Sequence, residues 1–157
     1  MIRKTLVITL GTLSLFTGCA TTYHPNFFSG GYSESRLGPN VALVSFNGNG
    51  FTSNLQVEKM ALLRSADVTT QNGYRYFVIT GSEDDSTNTG FVTPSYANTN
   101  FGAGWANTTF TAGQYIPIHK PAVSYMIHMG NNQGELAGFM RQIYDATFLQ
   151  ASLRTLR

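Results

Sequence analysis

Val41-Ala42-Leu43-Val44-Ser45-Phe46, Ser53-Asn54-Leu55-Gln56 and Tyr74-Arg75-Tyr76-Phe77-Val78-Ile79-Thr80 are the stretches on which the fold reading turns. The first is a short apolar run that stops at Asn47-Gly48-Asn49-Gly50. An apolar, β-branched run bounded by turn residues reads as a strand. The second has the S-x-x-Q form of a capping box, in which a hydroxyl and an amide side chain satisfy free backbone donors at a helix start. Helix-forming residues continue through Thr70, with Leu55, Val57, Met60, Ala61, Leu63 and Ala66 available for burial. Asn72-Gly73 supplies the stop, because glycine tolerates the left-handed conformation at a helix end. The third stretch is the clearest strand in the chain. Together they predict a strand–helix–strand unit over about 41–80, whose crossover is right-handed if the two strands are parallel in one sheet.

Working outward, Val123–Met129 predicts a further strand, fed by Tyr115–His119, with a turn over Gly130–Gly134. Beyond it, Leu136, Phe139, Met140, Ile143, Phe148, Leu149 and Leu153 fall roughly on a helical period. Asp145 can instead cap a shorter last helix, leaving 135–144 as a separate turn or helix. The expected fold class is α+β or α/β. It has a small sheet of three to five strands, the strand–helix–strand unit, and a C-terminal helix.

Residues 86–113 interrupt this pattern without a single charged side chain. They contain a near-repeat: Tyr96-Ala97-Asn98-Thr99-Asn100-Phe101, then Trp105-Ala106-Asn107-Thr108-Thr109-Phe110. A short Gly-containing loop between β-capable runs suggests a hairpin. Pairing about Ala103 would set Phe101 opposite Trp105 and Tyr96 opposite Phe110, on opposite faces. The Asn/Thr/Gly content equally suits a polar loop. These four aromatics are the candidate partner contacts, since exposed aromatics with little charge compose a contact surface.

The N-terminal residues read as a targeting segment. Arg3 and Lys4 precede the apolar stretch Thr5–Phe16, and small residues follow to Gly18. This is the layout of a secretory signal peptide over 1–18. It is too short to span a bilayer, which needs about 20 apolar residues. Phe16-Thr17-Gly18-Cys19 resembles the bacterial lipobox, which implies a lipid on Cys19, the sole cysteine. Ala20 stands where an aspartate commonly retains such proteins at the inner membrane, so the expected location is the outer membrane, on its periplasmic face. Residues 19–30 are then the lipidated cysteine and a tether. Eleven extended residues reach roughly 36 Å. The expected domain organisation is completed by one compact α/β domain over 31–157.

Removing 1–18 takes away Arg3 and Lys4 and leaves 139 residues with eight basic against eight acidic side chains. Nucleic-acid binding requires a basic footprint, and a neutral chain with 11% charged residues has none. A low-charge surface suits both an envelope protein and one packed among neighbours.

Gly31-Tyr32-Ser33-Glu34, Val44-Ser45-Phe46 with Gly48-Asn49-Gly50, Ala61-Leu62-Leu63-Arg64, and Gly73-Tyr74 with Tyr76-Phe77 occur in that order. In this the chain resembles a family of small uncharacterised proteobacterial (Gram-negative) envelope lipoproteins, over about 31–80 and again at Tyr144-Asp145-Ala146. The resemblance implies export, lipidation and a compact α/β domain, but supplies no catalytic residue.

Chemistry-bearing residues are sparse. His24, His119 and His128 lack metal-ligand spacing with other ligand types. Glu83-Asp84-Asp85 lacks the spacing of a cation loop. Gly48-Asn49-Gly50 lacks the phosphate-cradle pattern. No nucleophile–base–orienter set can be assembled, so neither a catalytic site, a metal nor a cofactor is expected. Arg64 lies mid-helix, where it can pair with Glu34 or Asp67 or meet an anionic ligand. The leading expectation is a non-enzymatic interaction subunit of an envelope assembly such as a secretion complex. Its partners would be the membrane, through the lipid, and other envelope proteins. The alternative is a periplasmic ligand- or peptidoglycan-binding lipoprotein, using Arg64, Tyr32, Tyr74 and Tyr76 near a concave pocket at the start of the helix.

Overall fold

A computed structural model describes residues 19–157; the expected signal peptide lies outside the described residues. The elements in order are β1 (Gly31–Arg36), β2 (Val41–Asn47), α1 (Asn54–Gln71), β3 (Tyr76–Asp84), β4 (Thr87–Val92), β5 (Tyr96–Gly102), β6 (Trp105–Thr111), β7 (Tyr115–Lys120), β8 (Ala122–Gly130), α2 (Gln133–Ala137), β9 (Ile143–Asp145) and α3 (Ala146–Ser152), with a final 3-10 turn at Arg154–Leu156.

The expected α+β or α/β class, with its strand–helix–strand unit, is corrected. The chain is mostly β, with 45% of the described residues in strands and 24% in helices. It forms a five-stranded sheet in the order β1-β2-β8-β3-β9 and two separate two-stranded pairs, β4-β7 and β5-β6. Every one of these pairings is antiparallel. The strands flanking α1, β2 and β3, share no ladder, because β8 lies between them and bonds to both. The reason is burial on two faces. β8 is buried at seven of its nine positions, whereas β2 alternates strictly. A strand covered on both sides takes the centre, and local pattern around α1 cannot show that a segment forty residues later will claim that place.

One face of the sheet carries the core. The register sets Ala42 opposite Ile127, Val44 opposite Tyr125 and Phe46 opposite Val123. Phe77 pairs with Met129 on the other flank of β8. These side chains pack with Val57, Met60, Ala61, Ala66 and Val68 of α1. Phe46 and Phe77 are fully buried; burying such a side chain contributes about 1.5–3 kcal/mol. α1 also packs against α3, and its residues from Leu63 to Thr69 are all buried. A bulge at Thr80 ends the regular β3–β8 register between Ile79 and Gly81.

α1 begins and ends on the residues its sequence signals. Ser53 Oγ accepts from Gln56 N–H at 3.2 Å, and Gly73 takes φ +80 just past the C-cap. The continuous C-terminal helix does not form. Its residues divide into α2, β9 and α3, and Asp145 Oδ1 accepts from Phe148 N–H at 3.1 Å to start α3. β9 completes the sheet edge, pairing Tyr144 with Phe77, and the two rings stack at 5.2 Å.

The expected tether is laid on the domain. Thr21 is 2% exposed; its N–H donates to Thr52 Oγ1 at 2.9 Å and its hydroxyl to Ser29 O at 2.6 Å. Bridges Pro25–Tyr32 and Phe27–Gly30 turn the segment back into β1. Phe27 and Phe28 do not dock on the domain, being 71% and 98% exposed. Threonine hydroxyls supply partners to backbone groups that a free tether would leave to water, which is why a polar stretch packs here.

Candidate functional site

Three places hold the residues singled out by sequence. The first is a polar clasp on α1. Arg64 and Asp67 are 8% and 5% exposed on that helix. Arg64 makes a two-point pair with Glu34 of β1, Nε–Oε2 at 3.1 Å and Nη2–Oε1 at 2.5 Å. Its guanidinium lies 4.1 Å from the centre of the Tyr32 ring. Burial pulls the Arg64 pKa down, but hydrogen bonds with Glu34 and Tyr23 outweigh it, and the net direction is upward. Asp67 collects the Tyr23 hydroxyl, Gln150 Nε2 at 2.8 Å and Arg157 Nη2. Burial first, then the bond to Asp67, raises the Tyr23 hydroxyl above its ordinary value. The clasp joins the N-terminal segment, β1, α1 and the last residue into one network. No described side-chain polar atom that is buried lacks a partner.

The four candidate ligand residues therefore do not form one site. Arg64 and Tyr32 meet, but inside the clasp, with the cation already committed to Glu34. Tyr74 packs against the core edge, with its hydroxyl 3.4 Å from Pro39 O. Tyr76 points to the opposite face of β3 from Phe77, with Arg75 over its ring at 5.1 Å. A concavity does lie at the start of α1, lined by Thr52, Ser53 and Asn54, yet none of the four lines it.

The second place is an arm. Segment 86–113 forms the hairpin alternative, β5–β6, and not a loop, although in a register one residue off. β4 pairs with β7 and β5 with β6, so residues 87–120 form one long ribbon. Thr93 and Gln114 link its two halves, through Thr93 N–H to Gln114 O and Gln114 N–H to Thr93 Oγ1, both at 2.8 Å. Sixteen residues from Thr87 to Gly102 give a contour of roughly 50 Å at about 3.3 Å each. The arm is held at its base by His119, whose ring nitrogens lie 2.9 Å from Asn88 Oδ1 and 3.2 Å from Asn54 Oδ1.

The register expected about Ala103 is off by one. Gly102 faces Trp105, Phe101 faces Ala106 and Ala97 faces Phe110. The loop is the two residues Ala103-Gly104, with Gly104 at φ +83. The physical cause is Trp105, whose indole lies so close over Gly102 that any Cβ there would clash at 2.2 Å. Slipping by one residue redistributes the aromatics, because side chains alternate along a strand. Phe101 and Phe110 now share one face, beside a Thr99–Thr108 hydroxyl pair at 2.9 Å. Tyr96 and Trp105 share the other. Phe101 is 82% exposed, Phe110 68%, Tyr96 63% and Trp105 60%.

The third place is Cys19. It is exposed, and its carbonyl accepts from Asn49 Nδ2 at 2.9 Å. Asn49 sits in the Gly48-Asn49-Gly50 turn, where its Oδ1 accepts from Phe51 N–H at 2.9 Å. That is turn chemistry put to use in seating Cys19. Among the described residues no helix is long and apolar enough to cross a membrane, and no three His, Cys, Asp or Glu side chains converge as metal ligands. The acidic run ends β3: Asp84 accepts from Ser86 N–H at 2.9 Å, and Ser86 lowers its pKa, while Asp85 accepts from the Ser124 hydroxyl.

Sequence reading missed Tyr23, Gln150 and Arg157. Their partner Asp67 lies 44, 83 and 90 positions away, and no local pattern carries such a pairing. No family model matches this chain, and no curated protein or solved structure matches it.

Proposed function

We propose that this chain is a lipid-anchored outer-membrane protein, held through Cys19, that acts without catalysis as an interaction subunit of an envelope assembly such as a secretion complex. Its contact element is the arm over 87–120. The observation that carries the reading is the exposure of Phe101, Phe110, Tyr96 and Trp105, each at 60% or more, on a ribbon with no core of its own. A two-stranded ribbon alone is marginally stable in water. Its free edges also present unpaired backbone groups, a template for another strand. Large aromatics without charge are what interface centres are enriched in. Cover by a partner would bury these rings and complete the ribbon in one event.

The test is a crosslinking pulldown from intact cells, comparing the wild type with Tyr96→Ser, Phe101→Ser, Trp105→Ser and Phe110→Ser combined. Specific partners that disappear in the variant support the arm as the interface. Partners that persist move the interface to the body. An empty pulldown in both samples, with an unchanged envelope assembly on deletion, would overturn the interaction role.

A further inference from the structure

The concavity at the base of the arm has a volume of about 860 Å³, and Cys19 lines it with Phe51, Phe91, Pro117, Ile118 and Lys120. Phe51 and Phe91 are 71% and 53% exposed. No acidic residue lines it, and Lys120 is its only formally charged side chain. The position of Cys19 is set closely. Its carbonyl is held by Asn49, and Thr21, two residues on, is buried and bonded to Thr52. Two residues span at most about 7 Å, so a lipid on Cys19 cannot carry the body far from a bilayer while that packing holds.

We infer that this face, with Phe51 and Phe91 at its walls and Lys120 at its rim, rests directly on the phospholipid surface beside the Cys19 anchor. The inference depends on the lipid-anchor reading above. Aromatic rings there enter the boundary between headgroups and acyl chains, and Lys120 meets anionic phosphate. Acidic groups that would be repelled are absent from the lining. The anchor therefore orients the domain, and the arm's own base, Pro117–Lys120, is fixed relative to the membrane plane. The lipid supplies the hold, and an apolar docked face adds buried area to it and fixes the orientation.

The test uses full-length protein purified in detergent and returned to phosphatidylethanolamine–phosphatidylglycerol vesicles with brominated acyl chains. In a Trp105→Phe background, Phe51→Trp is the reporter. Phe139→Trp is the control, since the Phe139 ring packs on His128 at 4.6 Å, six residues and about 20 Å along β8 from Ala122. Phe91→Trp serves as a second reporter should Phe51→Trp misfold. Mass analysis of the N-terminal peptide reads the lipid on Cys19 independently. The expected result is a lipidated Cys19 with Phe51→Trp losing roughly half or more of its emission, as for a ring about 5–10 Å into the boundary, while Phe139→Trp is unquenched. Equal quenching of reporter and control, or none in either, on a lipidated protein overturns the docked face and leaves the anchor standing. A Cys19 without lipid overturns both.

Discussion

Tyr23 donates its hydroxyl to Asp67, 44 positions away, and Arg157 pairs with the same carboxylate. Tyr23 near the start of the described residues and the last residue are thus held to the C-terminal part of α1 by one buried side chain.

Asp67→Ala leaves Arg157 and the Tyr23 hydroxyl without this acceptor and leaves Gln150 only its bond to Thr70 Oγ1. Removing one partner of a buried ion pair costs about 3–5 kcal/mol. Arg157 is half exposed and can return to water, so the lower end of that range is expected. Urea unfolding monitored by circular dichroism measures it. A change under about 1 kcal/mol would show that the clasp contributes only an ordinary net hydrogen bond.

Raising the pH should weaken the same clasp. The folded state keeps Tyr23 protonated above the ordinary tyrosine pKa, through burial and then through Asp67. Its contribution is complete below the unfolded value of about 10 and is lost as pH rises from there toward the folded value. Stability measured between pH 9 and about 11 should fall, and fall less steeply in Tyr23→Phe. Part of the slope survives in that variant, because burial, then Glu58, also raises Tyr125. An identical slope in both proteins would remove Tyr23 from the account.

Gly31 enters β1 at φ +125, and a Cβ there would meet His24 O at 2.5 Å and Pro25 O at 2.8 Å. Gly31→Ala should cost about 1–3 kcal/mol of backbone strain and release the segment before it. Limited proteolysis should then cut within 22–30 while the sheet stays intact. Cleavage at the wild-type rate would mean the segment is not held through this turn.

The arm's register is testable by crosslinking. Ala97→Cys with Phe110→Cys places the pair directly opposite, within the Cα separation of about 4.4–6.8 Å that a disulfide needs. Tyr96→Cys with Phe110→Cys sets them one residue out of register, on opposite faces. In a Cys19→Ser background the first pair should oxidise readily and the second should not. The reverse result would restore the pairing about Ala103.

Local chemistry was legible wherever neighbours in sequence decide it. The S-x-x-Q start at Ser53, the Gly73 stop and the Asp145 cap each satisfy backbone donors or turn geometry within a few residues. The apolar, β-branched run of Val41–Phe46, bounded by turn residues, and the dense apolar run of Val123–Met129 marked strands for the same reason. In the arm, the near-repeat suggested two paired runs, but Gly102 beneath Trp105 shifted the register in a way that residue spacing alone does not encode.

Sequence by itself determined an uncharged stretch over 86–113 that carries Tyr96, Phe101, Trp105 and Phe110, and one cysteine after an apolar leader-like run. It determined where α1 begins and ends, because capping is a matter of side chains three or four residues apart. Only the tertiary structure decided that β8 separates β2 from β3, since a central place in a sheet goes to the strand buried on both faces, whatever its position in the chain. Only it decided that 19–30 is docked, and that Arg64 is spent on Glu34 and Asp67 on Tyr23 and Arg157. Those pairings join residues 30 to 90 positions apart, and the burial that makes them binding exists only once the layers have closed.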